Sequence, residues 1–143
     1  MRADQQEVRC IMKRVLFVCV ENSCRSQMAA AFATRLGADR IDAHSAGSRP
    51  AHGVNPRAIA FMAERGYDLS DRAPKPLSTF EGQTFDIVVT MGCGDACPWV
   101  PAAQRVDWAL PDPKSLPDDE FRAVRDEIER RVRQLLAEWD IPS

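Results

Sequence analysis

Cys19 and Arg25 frame the short segment VENSC, and together they could carry out nucleophilic chemistry on an anion. A thiolate attacks, and a guanidinium can grip two oxygens of a tetrahedral oxyanion at once. If the loop from Val20 to Arg25 wraps on itself, its backbone N–H groups point inward with a helix dipole behind them, forming an oxyanion cradle. The expected binding residues are Val20, Glu21, Asn22, Ser23, Cys24, Arg25 and Ser26. The same positive field favours the thiolate form of Cys19. Ser26 can donate to that sulfur or cap the following helix, while Asn22 tolerates an unusual backbone angle and can tie the loop through its amide. Either residue alone reads as ordinary, a small hydrophobe in a strand or a surface cation. Their place between a strand end and a helix start gives the pair its meaning.

Two further groups stand at comparable places. Cys93 and Cys97 sit in the glycine-containing segment GCGDACP, and two thiols at that spacing can form a reversible disulfide. Half of a zinc site and two simply packed thiols are the competing readings. Cys10, Cys24, His44 and His52 offer no second ligand pair at a familiar spacing, so no metal is expected. Asp112, in LPDP, follows the last strand and can protonate a leaving oxygen, although its local sequence alone reads as a turn. His44 and His52 are expected to be structural, and Trp99, Trp108 and Trp139 core or half-buried.

The elements that must position these residues can be read from pattern. Arg14–Val20 is an unbroken apolar run of strand length, as in a parallel strand buried on both faces. SQMAAAFATRLG follows as a helix ending at Gly37. A short strand over Ile41–Ser45 precedes a second helix, capped by Asn55, opened by Pro56 and stopped by Gly66, with Ile59, Met62 and Ala63 inward. Phe85–Met91 and Arg105–Leu110 complete four strands. Phe121, Val124, Ile128, Val132, Leu135, Leu136 and Trp139 mark the clearest helix, with acids Asp118, Asp119 and Glu120 at its start and Arg130, Arg131 and Arg133 toward its end. Strands alternating with helices predict a single α/β domain over residues 14–143, a four-stranded parallel sheet with helices on both faces and ligands at the carboxyl ends of its strands. Residues 1–13 read as a disordered extension containing Cys10.

Composition narrows the partners. The 143 residues are 45% apolar, enough for one core, and carry 19 basic against 21 acidic side chains. The formal charge of -2 gives no basic excess for a nucleic acid, and no apolar run reaches membrane-spanning length. The first residues lack an apolar signal core, and the five cysteines are an odd number, so a cytoplasmic protein with reactive thiols is expected.

Taken together, CVENSCRSQMAAAF, HSAG, HGVNP, DRAPKPLS, DIVVTMGCGDACP and LPDP resemble the arsenate reductases built on the low-molecular-weight tyrosine phosphatase fold. The resemblance implies that Cys19 attacks arsenate held by its loop and Arg25, with Asp112 assisting departure of water. It also implies that Cys93 attacks Cys19 to release arsenite, that Cys97 then attacks Cys93, and that thioredoxin reduces the resulting disulfide with no bound cofactor. Phosphate and sulfate would compete as oxyanions, and Cys24 matches the family's non-essential loop cysteine. The chain departs from the pattern in three ways. Cys93 and Cys97 stand four positions apart where relatives have about seven. Glu21 replaces a frequent glycine, so its carboxylate is expected to point outward. Of the four positions that bind potassium in some relatives, Asn22 and Ser45 match while Ala30 and Lys75 do not, and the Lys75 ammonium is expected in the ion's place.

Three alternatives remain at this stage. A tyrosine phosphatase would use Cys19, Arg25 and Asp112, but Gln27 stands where phosphatases carry proline, and Lys114-Ser115 where they carry aromatic residues. A non-catalytic arsenite or thiol sensor needs neither Arg25 nor Asp112. A reductase using a small thiol such as glutathione or mycothiol has no need of the Cys93 and Cys97 pair.

Overall fold

The apolar run begins one residue early and becomes β1 (Lys13–Cys19), buried from Val15 onward on both faces of the sheet. The computed structural model describes residues 12–92 and 100–141. β1 pairs in parallel with β2 (Ile41–Gly47) and β3 (Phe85–Thr90), and β3 pairs with β4 (Ala102–Asp107), giving the expected four-stranded parallel sheet in the order β2-β1-β3-β4. The chain leaves β1 toward β2 on one side and returns to β3 on the other. A crevice therefore opens beyond the carboxyl ends of β1 and β3, the topological switch point where α/β sheets bind ligands.

Helices α1 (Arg25–Gly37), α2 (Pro56–Ala63) and α3 (Asp118–Glu138) share one core with Val15, Phe17, Ile87 and Val89. A short 3-10 helix, Leu77–Phe80, contributes Phe80 to a second core around Leu16, Val18 and Val88. Among the described residues, helical cover thus lies on both faces, three α-helices on one and a single turn on the other. Helix α1 is buried from Arg25 to Ala33, because its run of alanines lets it sit close to the sheet. The Asn55 side chain caps α2 by accepting from the Arg57 N–H at 2.8 Å. Gly66, at φ +83, stops it as expected, with Gly66 N bonded to the Ala63 carbonyl and Tyr67 N to that of Met62.

Local pattern failed where tertiary packing decides. β4 lies three residues earlier than Arg105–Leu110, because it is a mostly exposed edge strand whose register is set by pairing Phe85 with Ala102. Leu110 is buried beyond the strand. The inward face of α2 is Ala58, Phe61 and Met62, with Ile59 half-buried and Ala63 exposed, because Phe61 packs on Phe121 of α3 at 5.0 Å between ring centroids. In α3 the stripe from Phe121 to Leu136 and the acidic first turn are as expected, but the last turn holds no basic residue. Arg130 and Arg131 instead bond back to Glu127, and Arg133 to Glu129. Trp108 packs on Phe17 and Trp139 is half-buried, whereas Cys10 and Trp99 lie outside the described residues. Among the described residues, no helix is long and apolar enough to cross a membrane.

Candidate oxyanion site

Six carbonyl oxygens define the loop between β1 and α1. Those of Cys19, Val20, Glu21 and Ser23 accept from the backbone N–H groups of Ser48, Arg49, Ala51 and Asn55. The Asn22 carbonyl accepts from Gln27 Nε2 at 3.2 Å, and the Cys24 carbonyl from Met28 N at 2.9 Å. In a trans peptide the N–H points opposite to the C=O. With the carbonyls of residues 19 to 24 all turned outward, the N–H groups from Val20 to Arg25 line the inside of the loop. Asn22 makes the wrap possible by adopting φ 53, and its N–H donates to Cys19 Sγ at 3.2 Å. The loop wraps on itself, as the sequence leads one to expect, with Cys19 at its base.

Side chains lock this shape. Asn22 is fully buried; its Nδ2 donates to Ser26 Oγ at 2.7 Å, and its Oδ1 accepts from Gln27 Nε2 at 3.1 Å and Lys75 N at 2.8 Å. Ser26 Oγ lies 2.9 Å from Cys19 Sγ, so Ser26 serves the sulfur, and no side chain caps α1. The Asn22 N–H donates to the sulfur, and the Ser26 hydroxyl can donate to it when the sulfur carries the charge. Gln27, read from sequence only as an absent proline, also donates to the Ala73 carbonyl and joins the loop to the segment before Lys75. Gly47 pairs with Cys19 across β2 and β1, and a Cβ there would lie 2.6 Å from the Val20 oxygen. The missing side chain lets β2 support the loop.

Arg25 is buried, and its Nη1 donates to the carbonyls of Met91 and Leu110. Those bonds aim the guanidinium across the crevice between the ends of β1 and β3. Gly92, at φ +84, admits it, since a Cβ there would stand 2.9 Å from Nη1. Asp112 Oδ2 lies 3.8 Å from Arg25 Nη2, while its Oδ1 accepts from Lys114 N at 3.1 Å and caps the 3-10 turn Pro113–Ser115. Asp112 is thus both a turn residue, as its local sequence reads, and a carboxyl at the rim of the cradle. Glu21 points outward as expected, to Lys114 Nζ at 2.9 Å. Burial pushes the Cys24 thiol up to about 12, so it stays protonated beside the nucleophile. Cys93 and Cys97, expected as the relay thiols, lie outside the described residues.

Potassium does not fit this loop. Asn22 Oδ1, the oxygen such an ion would use, already accepts two hydrogen bonds, and Ala30 brings no carboxylate. Lys75 acts through its backbone N–H rather than its exposed ammonium. Among the described residues, no group of three His, Cys, Asp or Glu could hold a metal ion. His44 is structural, bonded to Asp42 Oδ1 at 2.9 Å and packed on Phe80, while His52 is exposed.

The chain is similar to several known proteins. It is 43% identical to a Synechocystis protein named glutaredoxin arsenate reductase, over 88% of this chain and 98% of that one. A solved arsenate reductase in the phosphate-binding state superposes with a TM-score of 0.81 at 42% identity, over 89% of this chain and 98% of that one. A thioredoxin-dependent arsenate reductase of Corynebacterium glutamicum gives a TM-score of 0.73 at 34% identity, over 94% of this chain and 65% of that one. The family described as low molecular weight phosphotyrosine protein phosphatase matches residues 14–141, and the chain belongs to it.

Proposed function

We propose that this protein is an arsenate reductase with Cys19 as nucleophile. One observation carries the reading: a loop with its carbonyls bonded outward and its N–H groups turned inward over a buried thiol, completed by Arg25. Such a cradle complements a tetrahedral oxyanion, and arsenate, phosphate and sulfate share that shape. The similar proteins named above support arsenate as the substrate. So does Gln27, whose amide braces the loop where the phosphatases place proline.

In the first step the Cys19 thiolate attacks the arsenic of hydrogen arsenate, forming a sulfur–arsenic bond as an As–OH bond breaks and the hydroxyl leaves as water with a proton from Asp112. The Cys93 thiolate then attacks Cys19 Sγ. A disulfide bond forms, the sulfur–arsenic bond breaks and its electron pair stays on arsenic, so As(V) becomes As(III) and leaves as arsenite. Cys97 next attacks Cys93, expelling the Cys19 thiolate and leaving a Cys93–Cys97 disulfide. Chain connectivity favours Cys93 as the resolving thiol, since it directly follows Gly92, which stands beside the Arg25 guanidinium.

An external dithiol resets the enzyme, and the relatives' names divide between thioredoxin and glutaredoxin. We assign thioredoxin, because the Cys93 and Cys97 pair stores both electrons within the chain and presents a protein disulfide. The test is arsenate-dependent NADPH oxidation with thioredoxin and thioredoxin reductase, run beside glutaredoxin with glutathione and its reductase. Turnover with thioredoxin that is lost in Cys19→Ser, Cys93→Ser and Cys97→Ser is expected. Turnover only with glutaredoxin overturns the donor assignment, and none with either overturns the activity.

A further inference from the structure

Glu21 is the only acidic residue between Cys19 and Arg25, and a carboxylate on an anion loop opposes the loop's purpose. Its Oε2 is met at 2.9 Å by Lys114 Nζ, 93 positions away in sequence. Lys114 belongs to the turn that Asp112 caps, and Asp112 itself stands 3.8 Å from Arg25 Nη2. The pair therefore joins two sides of the cradle's rim, the oxyanion loop and the Asp112 segment. The Glu21 hydrogen bond and charge hold the Lys114 ammonium above its ordinary pKa, and Asp112 adds to that effect.

We propose that the Glu21–Lys114 ion pair is a strap across the rim that makes Lys114 a specificity-determining residue. It neutralises the loop carboxylate so that small oxyanions enter without repulsion, and it occupies the approach that an ester's organic group would need. The proposal rests on the arsenate reading for its substrate. Its chemistry applies to any inorganic tetrahedral oxyanion.

The test compares Lys114→Met, Glu21→Gln and the double variant. The readouts are inorganic phosphate affinity by calorimetry, kcat and KM for arsenate, and kcat/KM for p-nitrophenyl phosphate. Lys114→Met exposes the carboxylate and should weaken phosphate about two- to fivefold at low salt, the range open to a partly exposed charge. Arsenate KM should rise by a similar factor with kcat held within about twofold. Adding Glu21→Gln should restore phosphate affinity, and the double variant, with the strap gone, should hydrolyse the aryl ester faster than wild type. Unchanged phosphate affinity in Lys114→Met, a loss that Glu21→Gln does not recover, or no gain in aryl ester hydrolysis each overturns the proposal. A fall in kcat with a shifted pH profile also overturns it, because Lys114 would then act by placing Asp112. If the wild type reduces no arsenate while phosphate affinity follows the predicted pattern, the strap stands and the arsenate reading fails.

Discussion

Replacing Gly47 by alanine tests whether β2 holds the oxyanion loop in shape. The new Cβ would stand 2.6 Å from the Val20 oxygen, 2.9 Å from the Asn22 nitrogen and 3.0 Å from Asn22 Cβ. Ordinary contact begins near 3.4 Å, so the loop must retreat by about 0.8 Å, which is 3.4 minus 2.6. Two of the three atoms met are backbone, and the neighbouring carbonyls are tied to residues 48 to 55, so no side-chain rotation relieves the clash. Overpacking of this kind costs roughly 1–3 kcal/mol, or roughly 3–10 °C in Tm for a domain of this size. A displacement near 1 Å at a positioned site costs on the order of 10²-fold in kcat/KM. Thermal denaturation, phosphate calorimetry and arsenate-dependent NADPH oxidation read these effects separately. A Gly47→Ala protein that keeps phosphate affinity and activity within about threefold of wild type would refute the claim that this contact shapes the cradle.

Three other outcomes are expected. Ser26→Ala removes the hydroxyl 2.9 Å from the Cys19 sulfur and leaves Asn22 Nδ2 without that acceptor, so kcat/KM should fall about 10- to 100-fold, with Ser26→Thr recovering part of it. Alkylation near neutral pH should label Cys19 and spare Cys24, whose thiol burial pushes up to about 12; peptide mass spectrometry separates the two sites. Hydrogen bonds from Arg122 and Arg125 hold Glu64 down to about 2 from 4.5. A depressed carboxyl contributes stability that is present above the unfolded value and lost as pH falls through the folded one. Wild-type Tm should therefore drop more steeply than that of Glu64→Gln between pH 4.5 and pH 2, as measured by thermal melts across that window.

Much of the site could be read from local order alone. A buried strand, a polar loop holding Cys19 and Arg25, and a helix of small residues form a unit whose meaning survives without neighbours. Asp112 could be placed at a strand's carboxyl edge even though its strand was misplaced by three residues. What escaped is non-local. Gln27 is an ordinary helix residue until it reaches the Ala73 carbonyl, 46 positions on. Gly47 and Gly92 matter through atoms of Val20, Asn22, Arg25 and Leu110 that only the folded sheet brings near. The HSAG segment carries the family likeness, but the task of its Gly47 shows only through the Val20 oxygen and Asn22 nitrogen beside it. Asn22 was expected to tie the loop, yet its second acceptor bond comes from the backbone of Lys75, not from a side chain whose charge could be read. The face of α2 and the register of β4 depend likewise on Phe121 and on β3, which single-segment periodicity does not see.

The most direct measurement mixes fully reduced protein with excess arsenate, without any added donor, and counts arsenite. A Cys19 nucleophile backed by two further thiols holds electrons for one reduction, so arsenite should stop at about one equivalent per chain. Arsenite that continues to form in Cys19→Ser, or a wild type that forms none, would contradict the assignment of Cys19 as the nucleophile of an arsenate reductase.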